Sequence, residues 1–360
     1  MRIKRVTLRD VAQAAGVSLN TASIILNEKP GYSFHPDTVQ RVWAVARSTG
    51  YLPAQENPSA PAEAKNTIFI VTASMSGYYY AALVQGIEQQ ADAQGYTTFC
   101  YQIYRQEERE EHIIRHAVES RAAGIIFTYL PIHHDMLESL DIPVVVVYEH
   151  HRQLHLNCVE TNNTYAARQL IRHLTGLGHT KIGFLNDRFD WEGFPSSPRH
   201  ARFREAFESL CPEGELVTFN KRVDFALRDR FFEYRHRARA GYELAQTALT
   251  QRPDLTALVC VCDVYALGAI QFLREHHLTV PGDRSVCGFD NNYAGEMLDL
   301  TTFDHRTEVI GVTAFNLLLE RIRAGENKGL LQKIEVVGEL IVRGSTGPVR
   351  QKKCLTVQID

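Results

Sequence analysis

The chain has 360 residues, of which 44% are hydrophobic and 22% charged, a composition typical of a globular protein with two or three domains. Its net charge of −3 is unevenly divided, because residues 1–53 hold seven Lys and Arg against three Asp and Glu, a net +4, so that the remainder carries −7. A basic head on an acidic body is typical of a protein that binds a polyanion through one end. Seven scattered cysteines exclude a disulfide framework, and the lack of a signal peptide or a membrane-length apolar run predicts a cytoplasmic protein.

The first predicted elements are two short helices joined by a tight turn between Thr7 and Asn27. Thr7 and Asp10 have the spacing of a capping box, and Gly16 suits the left-handed end of the first helix. Ser18 suits the cap of the second helix. The apolar side chains of the second helix that should point inward are Ala22, Ile25 and Leu26. Those that should face outward are Leu19, Asn20, Thr21, Ser23, Ile24 and Asn27. Small hydrogen-bonding residues beside two aliphatic ones suit a DNA groove, although the pattern alone also fits an ordinary helical hairpin.

A third helix is predicted from near Pro36, since proline suits a first helical turn, to Gly50. Together the three helices would form a small domain over residues 1–53. Residues 54–66, AQENPSAPAEAKN, contain two prolines and no large apolar side chain, which indicates a linker.

From Thr67 onward, apolar strands alternate with amphipathic helices. The predicted strands are Ile68 to Ala73, Thr97 to Tyr101, Gly124 to Tyr129, Pro143 to Tyr148, Lys181 to Asn186, Ala257 to Cys262, Ser285 to Phe289 and Ile334 to Arg343. The predicted helices are Tyr80 to Gln94, Glu107 to Arg121, Thr164 to Gly176, Pro198 to Leu210, Arg237 to Thr250, Val264 to Glu275 and Val309 to Ala324. Such alternation predicts an α/β fold with two doubly wound lobes and a ligand cleft beyond the carboxyl ends of their strands.

Several segments resemble the lactose-repressor (LacI/GalR) family of bacterial transcription regulators. They are VTLRDVAQAAGVSLNTASIILN, AAGIIF, HLTGLGHTKIGFL, VPGDRSVCGFDN and LTTFDHRTEVIGVTAFNLLLERI. The resemblance spans about residues 5–347, with the first segment the most specific. It implies a helix-turn-helix head and a periplasmic-binding-protein-like body for effector binding and dimerisation over residues 67–347, followed by a tail, 348–360.

The resemblance also implies a homodimer that binds a pseudo-palindromic DNA operator, most simply as a repressor, with a small molecule in the cleft controlling operator affinity. By position, Leu19, Asn20 and Ile24 would read base edges. Thr7, Thr21, Ser23 and Asn27 would contact phosphates. Many relatives have Arg where this chain has Ile24, which can pack on a thymine methyl but cannot bind guanine in bidentate fashion. We therefore expect Ile24→Arg to redirect preference toward guanine at one operator position.

The linker departs from the family pattern. Relatives usually carry an Ala-rich segment ending in Leu that forms a hinge helix on the operator, and paired Leu side chains wedge into the minor groove. Here the wedge position falls near Ala60, between Pro58 and Pro61. Because these prolines disfavour a continuous helix and Ala60 is too small to unstack bases, we expect weak or absent DNA bending.

The resemblance assigns effector contacts to residues at strand ends and nearby loops. They are Tyr79, Tyr80, Tyr148, Arg199, Cys262 and Asp290. Phe231 and Phe232 could supply an aromatic surface, and Asp263 has a structural role at its strand end. Polar groups beside aromatic rings suit a sugar or sugar derivative, while a nucleobase or a sugar acid also fits. Tyr79 and Tyr80 could instead be core or dimer residues.

Two other functions fit the sequence less well. A sugar-binding protein without a DNA function would have no use for the basic head. An enzyme on a doubly wound sheet lacks support, since no G-x-G-x-x-G, P-loop or G-x-S-x-G motif occurs. His112 and His116 fit an exposed helix face better than a metal site. The sequence therefore predicts no cofactor, no metal and no membrane partner.

Overall fold

The computed structural model describes residues 7–26, 32–49, 66–75, 77–104, 106–148, 154–188, 198–222, 233–325 and 330–350. The chain divides into two compact units, Met1–Glu63 and Ala64–Asp360. Among the helices so described, none is long and apolar enough to cross a membrane. Residues 54–65 of the predicted linker and residues 351–360 of the predicted tail lie outside the described residues.

The first unit contains three short helices, α1 (Leu8–Ala15), α2 (Leu19–Leu26) and α3 (Pro36–Thr49). The predicted capping box is present, because the Thr7 side chain accepts from the Asp10 amide and the Asp10 carboxylate accepts from the Thr7 amide at 2.8 Å. Gly16 ends α1 at φ 65°, a left-handed conformation that suits glycine. The helices share one small core, formed by Val11, Ala15, Ile25, Leu26, Val42 and Ala46.

The second unit alternates strands and helices as predicted. Its strands are β1 (Thr67–Thr72), β2 (Thr97–Gln102), β3 (Gly124–Phe127), β4 (Val144–Val147), β5 (Asn157–Thr161), β6 (Lys181–Arg188), β7 (Glu215–Arg222), β8 (Ala257–Cys260), β9 (Ser285–Phe289), β10 (Thr301–Asp304), β11 (Lys333–Val336) and β12 (Glu339–Ile341). Its helices are α4 (Tyr78–Ala93), α5 (Glu107–Glu119), α6 (His134–Glu138), α7 (Asn163–Gly176), α8 (Pro198–Leu210), α9 (Glu233–Gln251), α10 (Asp263–Glu275), α11 (Tyr293–Met297) and α12 (Thr307–Ala324).

The strands form two six-stranded sheets, each the centre of one lobe. Lobe 1 has the order β11-β5-β4-β3-β1-β2, with all neighbours parallel. Lobe 2 has the order β12-β10-β9-β8-β6-β7, and only its edge strand β12 is antiparallel. The predicted α/β class with two similar lobes is confirmed.

The chain passes between the lobes three times, from β5 to α7, from β10 to α12 and from β11 to β12. Two polar contacts tie these crossings together. The Asn162 amide donates to Glu335 at 2.7 Å, and the Arg306 guanidinium donates to Glu339 at 2.9 Å. The crossings therefore form one hydrogen-bonded hinge beside the cleft.

The predicted late strand from Ile334 to Arg343 is wrong in one respect. It is two strands, because β11 joins the sheet of lobe 1 and β12 joins the sheet of lobe 2. Gly338 lies between them, where an added Cβ would collide with the backbone oxygen of Asp304. Five elements were not predicted at all: β5, β7, β10, α6 and α11.

Candidate functional site

The outward side of α2 carries most of the side chains predicted for it. Leu19 is 47% exposed, Asn20 is exposed, and Thr21 and Ser23 are half-buried. The Thr21 amide donates to the Ser18 hydroxyl at 3.0 Å, which confirms Ser18 as the cap of α2. Asn27 lies outside the described residues.

Ile24 differs from this prediction, since only 7% of the residue is exposed. The expectation that it faces outward is wrong. Ala22, Ile25 and Leu26 are buried as well, so the C-terminal half of this eight-residue helix is covered on more than one side. A helical period identifies one buried face, whereas a short helix in a small domain can be enclosed on two.

In lobe 2, Arg199 at the start of α8 is the centre of the cleft. Its guanidinium pairs with the Asp290 carboxylate at 2.8 Å and donates to the backbone oxygen of Val261 at 2.8 Å. It also lies 5.2 Å from the centre of the Phe289 ring. The guanidinium is thus held at the carboxyl ends of β8 and β9 by three groups, with a planar fork that can still meet a ligand oxygen.

Asp290 follows β9 in a backbone conformation that few L residues adopt, with φ 103°. Asp263 holds the loop after it, because the Asp263 carboxylate accepts from the Asn292 amide at 2.9 Å and from the Thr302 hydroxyl at 2.6 Å. Burial, with the Asp290 charge, raises the pKa of Asp263 to about 8. The strain at Asp290 is therefore maintained by its neighbours, as is common at binding sites.

Lobe 1 contributes three tyrosines to the same region. Tyr79 and Tyr80 lie in the first turn of α4, with ring centres 5.4 Å apart, and Tyr148 directly follows β4. Burial raises the pKa of Tyr79, Arg199 opposes this shift, and Tyr80, Asp290 and Tyr148 add to it. Tyr79 of lobe 1 is thus within electrostatic range of the Arg199–Asp290 pair of lobe 2. The cleft is lined from both lobes.

Cys262 is buried at the N-cap of α10, beside this pair. Burial raises the pKa of its thiol to about 11, Arg237 opposes the shift, and Asp290 adds to it. The thiol is therefore protonated and unreactive near neutral pH. The six predicted effector residues come together at one cleft, while Phe231 and Phe232 lie outside the described residues. Within the described ranges, no group of three or more His, Cys, Asp and Glu is placed to hold a metal ion.

Sequence reasoning missed several polar residues around this cleft. Tyr78 of lobe 1 meets Tyr293 of lobe 2 edge to face, with ring centres 5.8 Å apart. His305, in the hinge, is buried between the rings of Phe289 and Phe303, 6.0 Å and 5.2 Å from their centres. Their positions in the sequence could have indicated them, since Tyr78 is next to Tyr79 and His305 directly follows an apolar strand.

Three family sequence models match the chain. "Bacterial regulatory proteins, lacI family" matches residues 7–54. "Periplasmic binding proteins and sugar binding domain of LacI family" matches residues 65–204, and "Periplasmic binding protein-like domain" matches residues 171–346. Together these models cover the head and both lobes in the order that the structure shows.

Known proteins similar to the chain match it over nearly its whole length. The HTH-type transcriptional repressor PurR of Haemophilus influenzae is 28% identical over 346 residues, which cover 94% of this chain and 98% of PurR. A LacI family regulator from Silicibacter pomeroyi has a TM-score of 0.70 at 22% identity, covering 95% of this chain and 99% of its own. The Lac repressor dimer bound to operator and the anti-inducer ONPF has a TM-score of 0.68 at 21% identity, covering 96% and 100%. At such identities the two structures show the shared fold alone. The chain therefore belongs to the LacI family of bacterial regulatory proteins, with a LacI-type helix-turn-helix head and a two-lobed periplasmic-binding-protein-like body.

Proposed function

We propose that this protein is a cytoplasmic transcriptional repressor that binds operator DNA as a homodimer and responds to a small molecule in its cleft. The head supplies the DNA contacts through Thr7, Leu19, Asn20, Thr21 and Ser23. The cleft supplies the effector contacts through Tyr79, Tyr80, Tyr148, Arg199, Cys262 and Asp290. A sugar or sugar derivative suits this set of polar groups and rings.

One observation carries the proposal: Tyr79 of lobe 1 lies within electrostatic range of the Arg199–Asp290 pair of lobe 2, so both lobes supply polar groups to one region. A small molecule that contacts both lobes binds one relative arrangement of them more tightly than others. It can therefore shift the arrangement that the chain adopts, and this is the physical requirement for control of a DNA-binding head attached to the same body.

The proposed head contacts are tested by replacing Asn20, which is exposed in the first turn of α2. Asn can bind an adenine edge through two hydrogen bonds, worth about 1–3 kcal/mol, so Asn20→Ala should weaken operator binding by roughly tenfold or more. Fragments enriched from genomic DNA by the purified full-length chain supply the operator, and its affinity is measured at fixed salt.

Gln13→Ala is the matched control, because Gln13 is an exposed amide on α1 rather than on α2. It should leave operator affinity within twofold or so, since an isolated surface change removes no base contact. Enrichment of no shared DNA site by the wild-type chain would contradict the proposed function. Equal losses in the two variants would contradict the reading role of α2.

A further inference from the structure

The Tyr265 side chain is fully buried, yet its hydroxyl has no hydrogen-bond partner among the described residues. Tyr265 lies in the first turn of α10, close to the cleft end of that helix. An unsatisfied hydroxyl in the interior is costly, because the group has left water without gaining a new partner. A native protein that retains such a group has a use for it in another state.

Two charged side chains lie within electrostatic range of this hydroxyl, Asp187 and Arg237. Asp187, 3% exposed, lies near the end of β6 and is 3.8 Å from the guanidinium of Arg237 on α9. The same guanidinium lies 3.9 Å from the sulfur of Cys262. Burial raises the pKa of Tyr265, Asp187 adds to the shift and Arg237 opposes it, so both charges act on the phenol.

This cluster adjoins the effector residues without duplicating them. Arg199 extends from α8 over the Phe289 ring, whereas Tyr265 and Arg237 come from α10 and α9, which pack against each other at Gly241. Cys262 lies between the two groups, since both Arg237 and Asp290 act on its thiol. Polar side chains thus extend from the Arg199–Asp290 pair toward a second polar cluster at the ends of β6 and β8.

We propose that this second polar cluster, formed by Tyr265, Asp187, Arg237 and Cys262, binds an uncharged hydroxyl group of the effector. The inference rests on the proposed function, which supplies the effector. A hydroxyl can donate to the Asp187 carboxylate and accept from Tyr265 or Arg237, so it would give the Tyr265 hydroxyl the partner that it lacks among the described residues. The effector is then a polyhydroxy molecule long enough to reach both Arg199 and Tyr265.

The balance of charge favours a neutral group over an anion. Asp187 and Arg237 have opposite charges, as have Asp290 and Arg199, so each pair already contains its own counter-charge. A phosphate or carboxylate beside Tyr265 would face the buried Asp187 carboxylate, and like charges at short range are unfavourable. Neutral sugars meet no such penalty.

The unsatisfied Tyr265 hydroxyl is tested first without any ligand, by comparing two tyrosines. Tyr265→Phe removes an unsatisfied hydroxyl and should raise the melting temperature of the unliganded full-length chain by about 2–4 °C. Tyr129→Phe is the matched control, because the Tyr129 hydroxyl is buried and donates to Glu110 at 2.5 Å. That variant should melt lower than wild type. If Tyr265→Phe also melts lower, the hydroxyl has a hydrogen-bond partner in the unliganded chain and the proposal is overturned.

Ligand binding is tested by calorimetry on the same full-length chain. The probes are neutral sugars (ribose, glucose, cellobiose, maltose and lactose) and two anionic ones, ribose 5-phosphate and gluconate. We expect a neutral sugar to bind, and both Tyr265→Phe and Arg237→Gln to weaken it by about tenfold, as loss of a hydrogen bond to a charged or buried group does. Binding that the variants leave unchanged, or binding of the anionic sugars alone, would overturn the proposal.

Failure of every probe, in a wild-type chain that still selects an operator from genomic DNA, also overturns the proposed hydroxyl binding while leaving the DNA function intact. Failure of the operator selection instead contradicts the proposed function itself. The two failures are therefore distinguished by one DNA-binding measurement on the same preparation.

Discussion

Leu19 and Ile24 are large aliphatic side chains of the same short helix, in different surroundings. Leu19 is 47% exposed and Ile24 is 7% exposed. An exposed aliphatic side chain at the start of α2 is available to pack on a base edge, since the first residues of such a helix enter the major groove. A buried one contributes to the stability of the head instead.

This difference changes what Ile24→Arg should do. A guanidinium has no partner at a position enclosed by apolar side chains, so we expect the head to be destabilised by about 2–5 kcal/mol, comparable to the loss of a buried aliphatic side chain. Amide hydrogen exchange of α2 in the full-length chain measures the effect, as faster exchange. Leu19→Arg is the control, and exchange there should stay as slow as in wild type. Equally slow amide exchange of α2 in both variants would show that Ile24 lies on the outward face of the helix.

For single residues, the sequence identified members of the candidate site where they lie in a recognisable motif. Arg199 and Asp290 were identified from their segments, and the structure brings them to 2.8 Å from each other. Tyr265 and His305 could not be identified, because each looks like an ordinary core residue until the contacts of its polar atom are known. A pattern of residue types shows that a side chain is buried but not whether its hydroxyl or ring nitrogen finds a partner.

Among the elements, two pairs of helices cross closely enough that only glycine fits. Gly86 of α4 lies against the backbone of Glu308 on α12, and Gly311 of α12 lies against the backbone of Leu83 on α4. Gly241 of α9 and Gly268 of α10 are packed in the same reciprocal manner. The contact between α4 and α12 thus joins the helix that begins with Tyr78, Tyr79 and Tyr80 to the helix that begins at the hinge.

Replacing Gly86 should therefore be costly. In Gly86→Ala, the new Cβ would lie within 3.0 Å of the backbone carbon of Glu308, so the helices must separate, at a cost of about 1–3 kcal/mol. Gly176→Ala is the matched control, because Gly176 is also helical and a Cβ there meets nothing within 4 Å. That change should be neutral or stabilise the chain by up to about 1 kcal/mol. Urea unfolding of both variants provides the comparison, and similar values for the two would contradict the close crossing.

The most hydrophobic strands were predictable, whereas the interior strands β5 and β10 and the edge strand β7 were missed. β3, β4 and β8 are continuous runs of buried apolar residues, the pattern expected of a strand that is covered on both faces of the sheet. β7 was missed because an edge strand such as ELVTFNKR is covered on fewer sides and keeps its charges. The segment around Gly338 looked like one strand, since nothing local reveals that its halves pair in different lobes.

Across the whole molecule, buried histidines connect parts of the chain that are distant in sequence. His179 has its Nδ1 2.9 Å from the Thr256 hydroxyl and its Nε2 2.9 Å from the Ser285 hydroxyl and 3.0 Å from the Gly347 oxygen. Burial lowers the pKa below the usual 6.5 for three buried histidines, His179, His200 and His305, and for the half-buried His173. At a pH near 6.5, each of these histidines is therefore still neutral in the folded chain, whereas in the unfolded chain it begins to take up a proton.

The free energy of unfolding should consequently decrease in mild acid. Because the folded pKa values lie below the unfolded value, the unfolded chain binds more protons as the pH falls below about 6.5, and the free energy of unfolding decreases. Above that pH the contribution of these histidines is complete. Two carboxylates, those of Glu215 and Asp254, pair with Arg252 and have lowered pKa values. They lose their contribution to stability only below about pH 4.5, so the two effects are separated in pH.

The expected slope is about 1.4 kcal/mol per pH unit for each histidine that remains neutral on folding. Urea unfolding of the full-length chain between about pH 8 and 5 measures it. His179→Gln should lower stability at pH 8, since it loses the contacts to Thr256 and Ser285, and should also flatten the acid dependence. Thr256→Val is the matched control, because it removes one of these contacts while keeping the imidazole. It should lower stability yet retain the wild-type slope, and equal slopes in wild type and His179→Gln would show that this histidine does not link stability to pH.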